Sequence, residues 1–537
     1  MTVLRSSAAP LVLGRGRPVR SQTSAAPVDW VRPSDWLDLT PPGATEQKFV
    51  GLIAVFDQGS NYVALRAAVS SGTYTVDWGD GTSPQTYTSN TTAQYNYAYS
   101  SLNANTLSSR GYRQAIVTVT PTTSGATFSL FGLNYRHSAR SSTSTVAPWL
   151  DVAVSAPNAT TLRINGRGAS DTTATVLLTL LERATIVSHN TTTMTRMFQD
   201  CASLRVVSLG DTSAVTSMGS MFTECNSLRS VPLFDTRSNT TMAYMFDGCV
   251  SLESVPLFNT ASVTSMLAAL RSCSSLKSIP LFNTSSVSTF TQCFFGCTNL
   301  EEVPLFNTSS ANSMDTMFRD CYSLQAVPLF DTSNVSNMTS MFSGCTSLIS
   351  IPLFNTAKVT DVSNMVAFCT SLRSIPELNL GSVTSASFNN MAYRPNLGRA
   401  KLTGMRWTQS FSGCNMAAAE LNEMYTALDK LNPNVTNVTG NGTTVTYTVD
   451  DITAFVASRT VTITGVDPVA YNLTNVTVAT VSVANSQFTV TNAATGTYVS
   501  GGVAAIQDNR TITVTGNPGV TGDDPTIATN KGWTVTG

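Results

Sequence analysis

The stretch Asp331-Thr-Ser-Asn-Val-Ser-Asn-Met-Thr-Ser-Met-Phe-Ser-Gly-Cys345-Thr-Ser-Leu348 decides the fold, because its parts return along the chain at one fixed step. Cysteine stands at Cys201, Cys225, Cys249, Cys273, Cys297, Cys321, Cys345 and Cys369, each 24 residues after the last (225 − 201 through 369 − 345). Three places later comes Leu204, then Leu228, Leu252, Leu276, Leu300, Leu324, Leu348 and Leu372; proline keeps the same step from Pro232 to Pro376. A strict period of roughly 20 to 29 residues marks units that stack into a solenoid, since one unit cannot bury its apolar groups alone. Within a unit, Leu228-x-x-Val231-x-Leu233 is an L-x-x-L-x-L core, so Leu228, Val231 and Leu233 are expected inside and Pro232 outside. Met221-Phe222, Met245-Phe246, Met317-Phe318 and Met341-Phe342 are expected to fill the interior from the opposite side. With parallel strands about 4.8 Å apart, the steps from Cys201 to Cys369 span about 34 Å. Each proline removes a backbone donor, so these strands must be short.

Three columns follow from the period. At one corner stand Asp211, Asp235, Asn259, Asn283, Asn307, Asp331 and Asn355, each followed by Thr. A short polar side chain there is expected to bond backbone groups that a tight turn leaves unpaired. The cysteines are expected as buried free thiols rather than disulfides or metal ligands: equivalent positions point their Cβ atoms in parallel, and no C-x-x-C pair is present. Cys293 and Cys414 lie off the column. After each repeated leucine the residue varies: Arg205, Arg229, Glu253, Lys277, Glu301, Gln325, Ile349 and Arg373. These side chains are expected to form one exposed row, either a binding face or, the plainer reading, charges alternating so that stacked neighbours attract.

The Asp331–Leu348 run closely resembles the BspA-like leucine-rich repeats of bacterial surface proteins, over about 200 of the 537 residues. Similar repeats occur in adhesins and in proteins encoded by bacteriophages and protists. The resemblance implies display and binding without naming a ligand.

Composition narrows the function. Net charge is −1 and charged residues are 12% of the chain, against roughly a quarter in soluble domains. That argues against a nucleic-acid partner, since phosphate contacts need a basic surface. His137 and His189, the two histidines, have no plausible partner beside them in sequence. No nucleophile with its base, phosphate-binding loop or catalytic carboxylate pair is recognisable, so an enzyme is not expected, nor a cofactor or metal. The apolar run Ala9-Pro10-Leu11-Val12-Leu13 is cut short by Arg15, Arg17 and Arg20, so no export signal is expected. No stretch reaches the roughly 18 apolar residues of a membrane span.

The expected class is therefore mainly β: a leucine-rich-repeat solenoid of 24-residue coils flanked by immunoglobulin-like β-sandwich domains. Residues 1–46 read as an extended arm, disordered or lying along a neighbouring subunit, with Trp30 and Trp36 late in it. Residues 47–123 alternate like a sandwich, and Val76-Asp77-Trp78-Gly79-Asp80-Gly81-Thr82 looks like a PKD-type domain. Its Asp77 and Asp80 can be read as calcium ligands, but Asp-Gly favours a tight turn. Residues 124–188 are expected as connector and N-terminal cap, 189–432 as the solenoid, with a helix from Met416 to about Leu431. Residues 433–510 read as an inserted small β-domain and 511–537 as the C-terminal cap. Together these features point to a non-enzymatic bacteriophage virion protein, a fibre, appendage or decoration, released by lysis. The alternatives are a bacterial cell-surface adhesin and a purely structural capsid or tail cement. Expected partners are other virion proteins through the arm, a host surface receptor and further copies of the chain, with neither nucleic acid nor membrane insertion.

Overall fold

The computed structural model describes residues 30–537 except 60, 140–143, 165–174, 384–395, 404–408, 413, 429–432, 453–454, 456, 468, 496, 507–509 and 516. The protein is mainly β. Its first sheet runs, in spatial order, Val206–Ser208, Arg183–Ser188, Trp149–Ser155, Lys48–Val55, Arg113–Pro121, Thr73–Asp77 and Gln85–Thr88. A second sheet pairs Thr161–Arg163, Phe128–Gly132, Asn61–Val69 and Thr92–Tyr97, and Val63, Leu65 and Phe131 share one core with Val76, Trp78 and Val117. The boundary expected at 123/124 is thus corrected. Lys48–Val55 pairs with Trp149–Ser155, and Trp149–Ser155 with Arg183–Ser188, so one sheet runs unbroken from the N-terminal strands into the first repeat.

The arm is corrected too, in its described part. Lys48–Val55 is apolar on both faces, so its outer face needs a cover. Trp36 and Leu39 supply it, packing with Val50, Leu52, Ala54 and Tyr112. Trp36 Nε1 donates to Tyr112 Oη (2.9 Å), Trp30 Nε1 to Glu182 (3.0 Å), and Arg32 with Arg183 grips the buried Asp151 (2.9 and 2.7 Å). Residues 30–39 therefore lie on their own chain; residues 1–29 fall outside the described set.

In the repeats, Cys225, Leu228, Met245, Phe246 and their equivalents are buried, and Leu228, Leu252 and Leu276 are fully so. The Met-Phe side is not a plain strand. Alternate N–H groups reach the next unit: Met242 to Ser265 (3.1 Å), Tyr244 to Leu267 (2.8 Å), Phe246 to Ala269 (2.9 Å) and Gly248 to Arg271 (2.8 Å). Those between close turns inside the unit, Met245 to Met242 (3.0 Å) and Cys249 to Phe246 (3.1 Å). This demands left-handed backbone twice per unit, as at Tyr244 (φ 57°) and Gly248 (φ 75°), and it recurs in columns through Asn364 and Phe368. Gly344 fits where a Cβ would strike the Asp320 carboxylate at 2.2 Å. Phe368 holds φ 58° while largely exposed, a conformation costing an L-residue about 1–2 kcal/mol. Phe368→Gly is expected to stabilise the protein by about 0.5–1 kcal/mol, read as a higher urea midpoint at unchanged slope.

One inward expectation fails. Leu233 is 68% exposed, and Leu257, Leu281, Leu305 and Leu353 are each 60%. The cause is the proline. Phe258 N–H bonds the Pro256 carbonyl (2.9 Å), a three-residue turn centred on Leu257 that repeats at Phe282, Phe306, Phe330 and Phe354. The turn breaks the two-residue alternation of a strand, so Leu257 swings out and Phe258 goes in. Pro232 is exposed as expected.

Past the repeats the helix is shorter than expected, Ala418–Ala427, ending at the extended Leu428. Strands between Val435 and Ile506 build a six-stranded sheet. The chain then returns: Thr511–Thr513 pairs in parallel with Gln409–Ser410 and with Thr534–Thr536, and Asn517 bonds Met416 N–H (3.0 Å) and the Phe411 carbonyl (2.8 Å).

Candidate binding face

The expected columns have distinct roles. Asp235, Asn259, Asn283, Asn307, Asp331 and Asn355 each accept the N–H two residues on, for example Ala261 to Asn259 (3.2 Å) and Ser333 to Asp331 (3.0 Å). Those bonds hold the Asp331 carboxyl below the usual carboxylate range. The following threonine is buried and donates to the next unit's corner carbonyl, as from Thr308 to Asp331 (2.8 Å). The corner is thus sewn to its neighbour.

All ten cysteines are buried, and none is joined in a disulfide. In the column each Sγ lies against a carbonyl of the preceding unit: Cys225 to Phe198 (3.1 Å), Cys249 to Phe222 (3.0 Å), Cys273 to Phe246 (3.2 Å), Cys297 to Leu270 (3.1 Å), Cys321 to Phe294 (3.1 Å), Cys345 to Phe318 (3.0 Å) and Cys369 to Phe342 (3.0 Å). Cysteine suits this place because it packs like a small hydrophobe yet still donates. Cys201, first in the column, shares the burial. Burial pushes the column's thiols from Cys201 to Cys345 up, Cys297 to about 12. That is the reverse of what a nucleophile needs.

Arg205, Arg229, Glu253, Lys277, Glu301, Gln325, Ile349 and Arg373 are all exposed. Arg229 approaches Glu253 at 3.8 Å, and Arg205 approaches Glu182 at 3.9 Å. Among the described residues no ion pair within 4 Å joins Glu253 to Lys277 or Lys277 to Glu301. Sequence reasoning missed the column four residues on, Leu233 through Leu353, which had been placed in the core. Its signal was the second apolar residue beside it, Phe234 through Phe354, because adjacent residues of a strand cannot both face inward.

At the Asp77–Asp80 turn, Asp77 accepts Gly79 N–H (2.9 Å), and Asp80 accepts Thr82 N–H (3.1 Å) and the Tyr95 hydroxyl. Burial raises the Asp80 carboxyl, but the bonds from Tyr95 and Thr82 outweigh it and hold it below its ordinary value. Both carboxylates are engaged in the turn, and among the described residues no group of three metal-ligating side chains gathers. Among them, too, no helix is long and apolar enough to cross a membrane.

The chain is similar to a family described as "Mycoplasma protein of unknown function, DUF285" over residues 192–302 and again over 264–379. The two matches start 72 residues apart (264 − 192), three repeat periods, so the likeness follows the repeat itself. Among curated proteins no match is found. Among solved structures, a leucine-rich repeat protein from Eubacterium ventriosum shares 14% identity over 54% of this chain and 92% of its own, at a TM-score of 0.24. TLR13 in its complex with ssRNA13 shares 14% over 51% of this chain and 42% of its own, at 0.19. The chain therefore spans less than half of TLR13. What the strands and the 24-residue period with its L-x-x-L-x-L core define is a mainly β repeat protein of leucine-rich type.

Proposed function

We propose that the chain is a non-enzymatic structural and binding protein: a leucine-rich-repeat solenoid, flanked by immunoglobulin-like β-sandwich modules, that presents one regular face to a partner. The observation that carries this reading is the column of leucines about 60% exposed, beside a row that varies from unit to unit. Contiguous exposed apolar surface on a folded protein marks an interaction site. The backbone beneath is fixed by hydrogen bonds from unit to unit, so the face is preorganised and binding orders little. The upward push on the buried thiols supports the absence of nucleophilic chemistry.

The setting we propose is the surface of a bacteriophage particle, as fibre, appendage or decoration. Low charge and a Ser/Thr/Asn-rich exterior suit such display. A bacterial cell surface is the second reading, favoured by the match to a family described from Mycoplasma. Mass spectrometry of purified particles separates them: presence at stoichiometric level supports the first, and absence from virions removes it. The binding role is tested by comparing adsorption of wild-type protein with a variant lacking residues 240–359, five whole units (120 residues). Unchanged adsorption and unchanged particle stability would remove it.

A further inference from the structure

We infer that the face built on Leu233, Leu257, Leu281, Leu305, Leu329 and Leu353 is a self-association surface, and that its occupant is a second copy of this chain in antiparallel register. The inference rests on the reading that this face binds, and it names the partner.

Shape comes first. Hydrogen bonds join neighbouring units on opposite sides of the stack: Gly248 to Arg271 (2.8 Å) on the Met-Phe side, and Glu253 to Arg229 (2.9 Å) and Arg373 to Ile349 (2.9 Å) on the variable side. The threonine corner is joined as well, from Thr236 to Asn259 (2.8 Å). Units held at hydrogen-bond distance on every side keep one spacing all round, so the leucine column runs along a flat face rather than into the hollow of a horseshoe. A flat stripe can meet another flat stripe. From Leu233 to Leu353 the face covers six units, about 29 Å at about 4.8 Å each, and is at most about 20 Å across from the variable row to the Asn/Asp corner. That is at most about 600 Å² per copy, the lower edge of the roughly 600–1,000 Å² that a standard interface buries on each partner.

Overlap of all six leucines then sets the register, and charge agrees with it. Consider a two-fold axis lying in the face, crossing the column midway between Leu281 and Leu305. It reverses the second copy and lays each column on its own counterpart. Lys277 then faces the partner's Glu301, and Glu301 the partner's Lys277. Glu253 faces the partner's Gln325, and Arg229 the partner's Ile349. In the corner column Asp235 faces the partner's Asn355, and Asp331 the partner's Asn259. Across these six units no like charges oppose. At the rim Arg205 meets the partner's Arg373, but Arg205 already has Glu182 at 3.9 Å. The leucines supply the burial, and the Lys277–Glu301 pairs add specificity more than affinity.

The test uses the full chain in sedimentation equilibrium. Wild type is expected to be a dimer. Leu281→Glu with Leu305→Glu places four carboxylates at the axis and is expected to weaken association at least tenfold. Lys277→Glu alone and Glu301→Lys alone are each expected to weaken it, because each sets two like-charge pairs. Mixing those two variants restores association, since both cross-axis pairs become Glu–Lys. All four side chains are exposed, so thermal midpoints should stay near wild type; should the leucine variant fail to fold, the mixing experiment carries the test alone. A monomeric wild type, a leucine variant that still dimerises, or a mixture no tighter than its components overturns the inference. Adsorption measured on the same variants separates it from the broader reading. A monomer whose adsorption is lost with the leucines keeps the binding role and loses only the partner named here.

Discussion

Raising the pH from 8 to 10 is expected to unfold the repeat stack outright, with thiolate absorbance appearing in the same transition as the loss of structure. The cause is the cysteine column. Burial pushes up the thiols of Cys201, Cys225, Cys249, Cys273, Cys293, Cys297, Cys321 and Cys345, in most cases far beyond the ordinary range. In the unfolded chain the same groups ionise near about 8.5. Below that pH both states hold their protons, and the thiols contribute no pH dependence. Above it the unfolded state sheds protons that the folded state keeps, so stability falls as pH rises toward the folded values. The loss is about 1.4 kcal/mol per thiol per pH unit, or about 2 kcal/mol per thiol at pH 10. Over eight thiols that comes to about 16 kcal/mol, more than the roughly 5–15 kcal/mol of a typical fold. Circular dichroism and absorbance near 240 nm, recorded after equilibration at each pH, decide the matter. Thiolates rising gradually near pH 8.5 with the fold intact would show that the column is open to water.

How far the sequence could be read depends on which physical rule governed each residue. Cys273 and Leu276 were legible because a strict period leaves equivalent residues no choice but to stack, and an apolar column must then be inside. Leu281 was not, because its inward placement assumed strand alternation through Pro280. That proline lacks the N–H a ladder needs, and the three-residue turn it joins rotates the following leucine outward. The paired left-handed positions left little compositional trace, since Tyr244, Gln292 and Thr316 occupy them as well as Gly248 and Gly296. Only the glycine at every second unit from Gly248 to Gly344 hinted at them. At the N-terminus the signal was present but unread. Phe49-Val-Gly-Leu-Ile-Ala-Val55 is a continuous apolar run, not an alternating one, and a strand apolar on both faces requires a cover. Trp36 and Leu39 provide it from the segment assigned to an arm. The variable row is exposed, yet among the described residues its charges do not pair along the stack beyond Arg229 and Glu253 at 3.8 Å. Attraction between stacked neighbours therefore accounts for little of the row.

Two leucines five residues apart offer the sharpest check on the coil. Leu300 is fully buried among residues of the column interior, whereas Leu305 is 60% exposed at the turn after Pro304. Leu300→Ala removes buried methyl groups from a layer clamped above and below by hydrogen-bonded units. The void cannot easily close, so the change is expected to cost about 3–5 kcal/mol. Leu305→Ala removes the same atoms from a place where they already meet water, and the expected change is within about 0.5 kcal/mol. Urea unfolding of the two variants at neutral pH measures both numbers on one scale. A strand alternating through Leu300-x-x-Val303-x-Leu305 would make the two losses comparable, because both side chains would then face the core. Equal costs would mean that the turn from Pro304 to Phe306 does not form, and the exposed leucine face would go with it. A wide gap between them fixes the direction of the Pro-Leu-Phe segment in every unit, since one repeat geometry serves all.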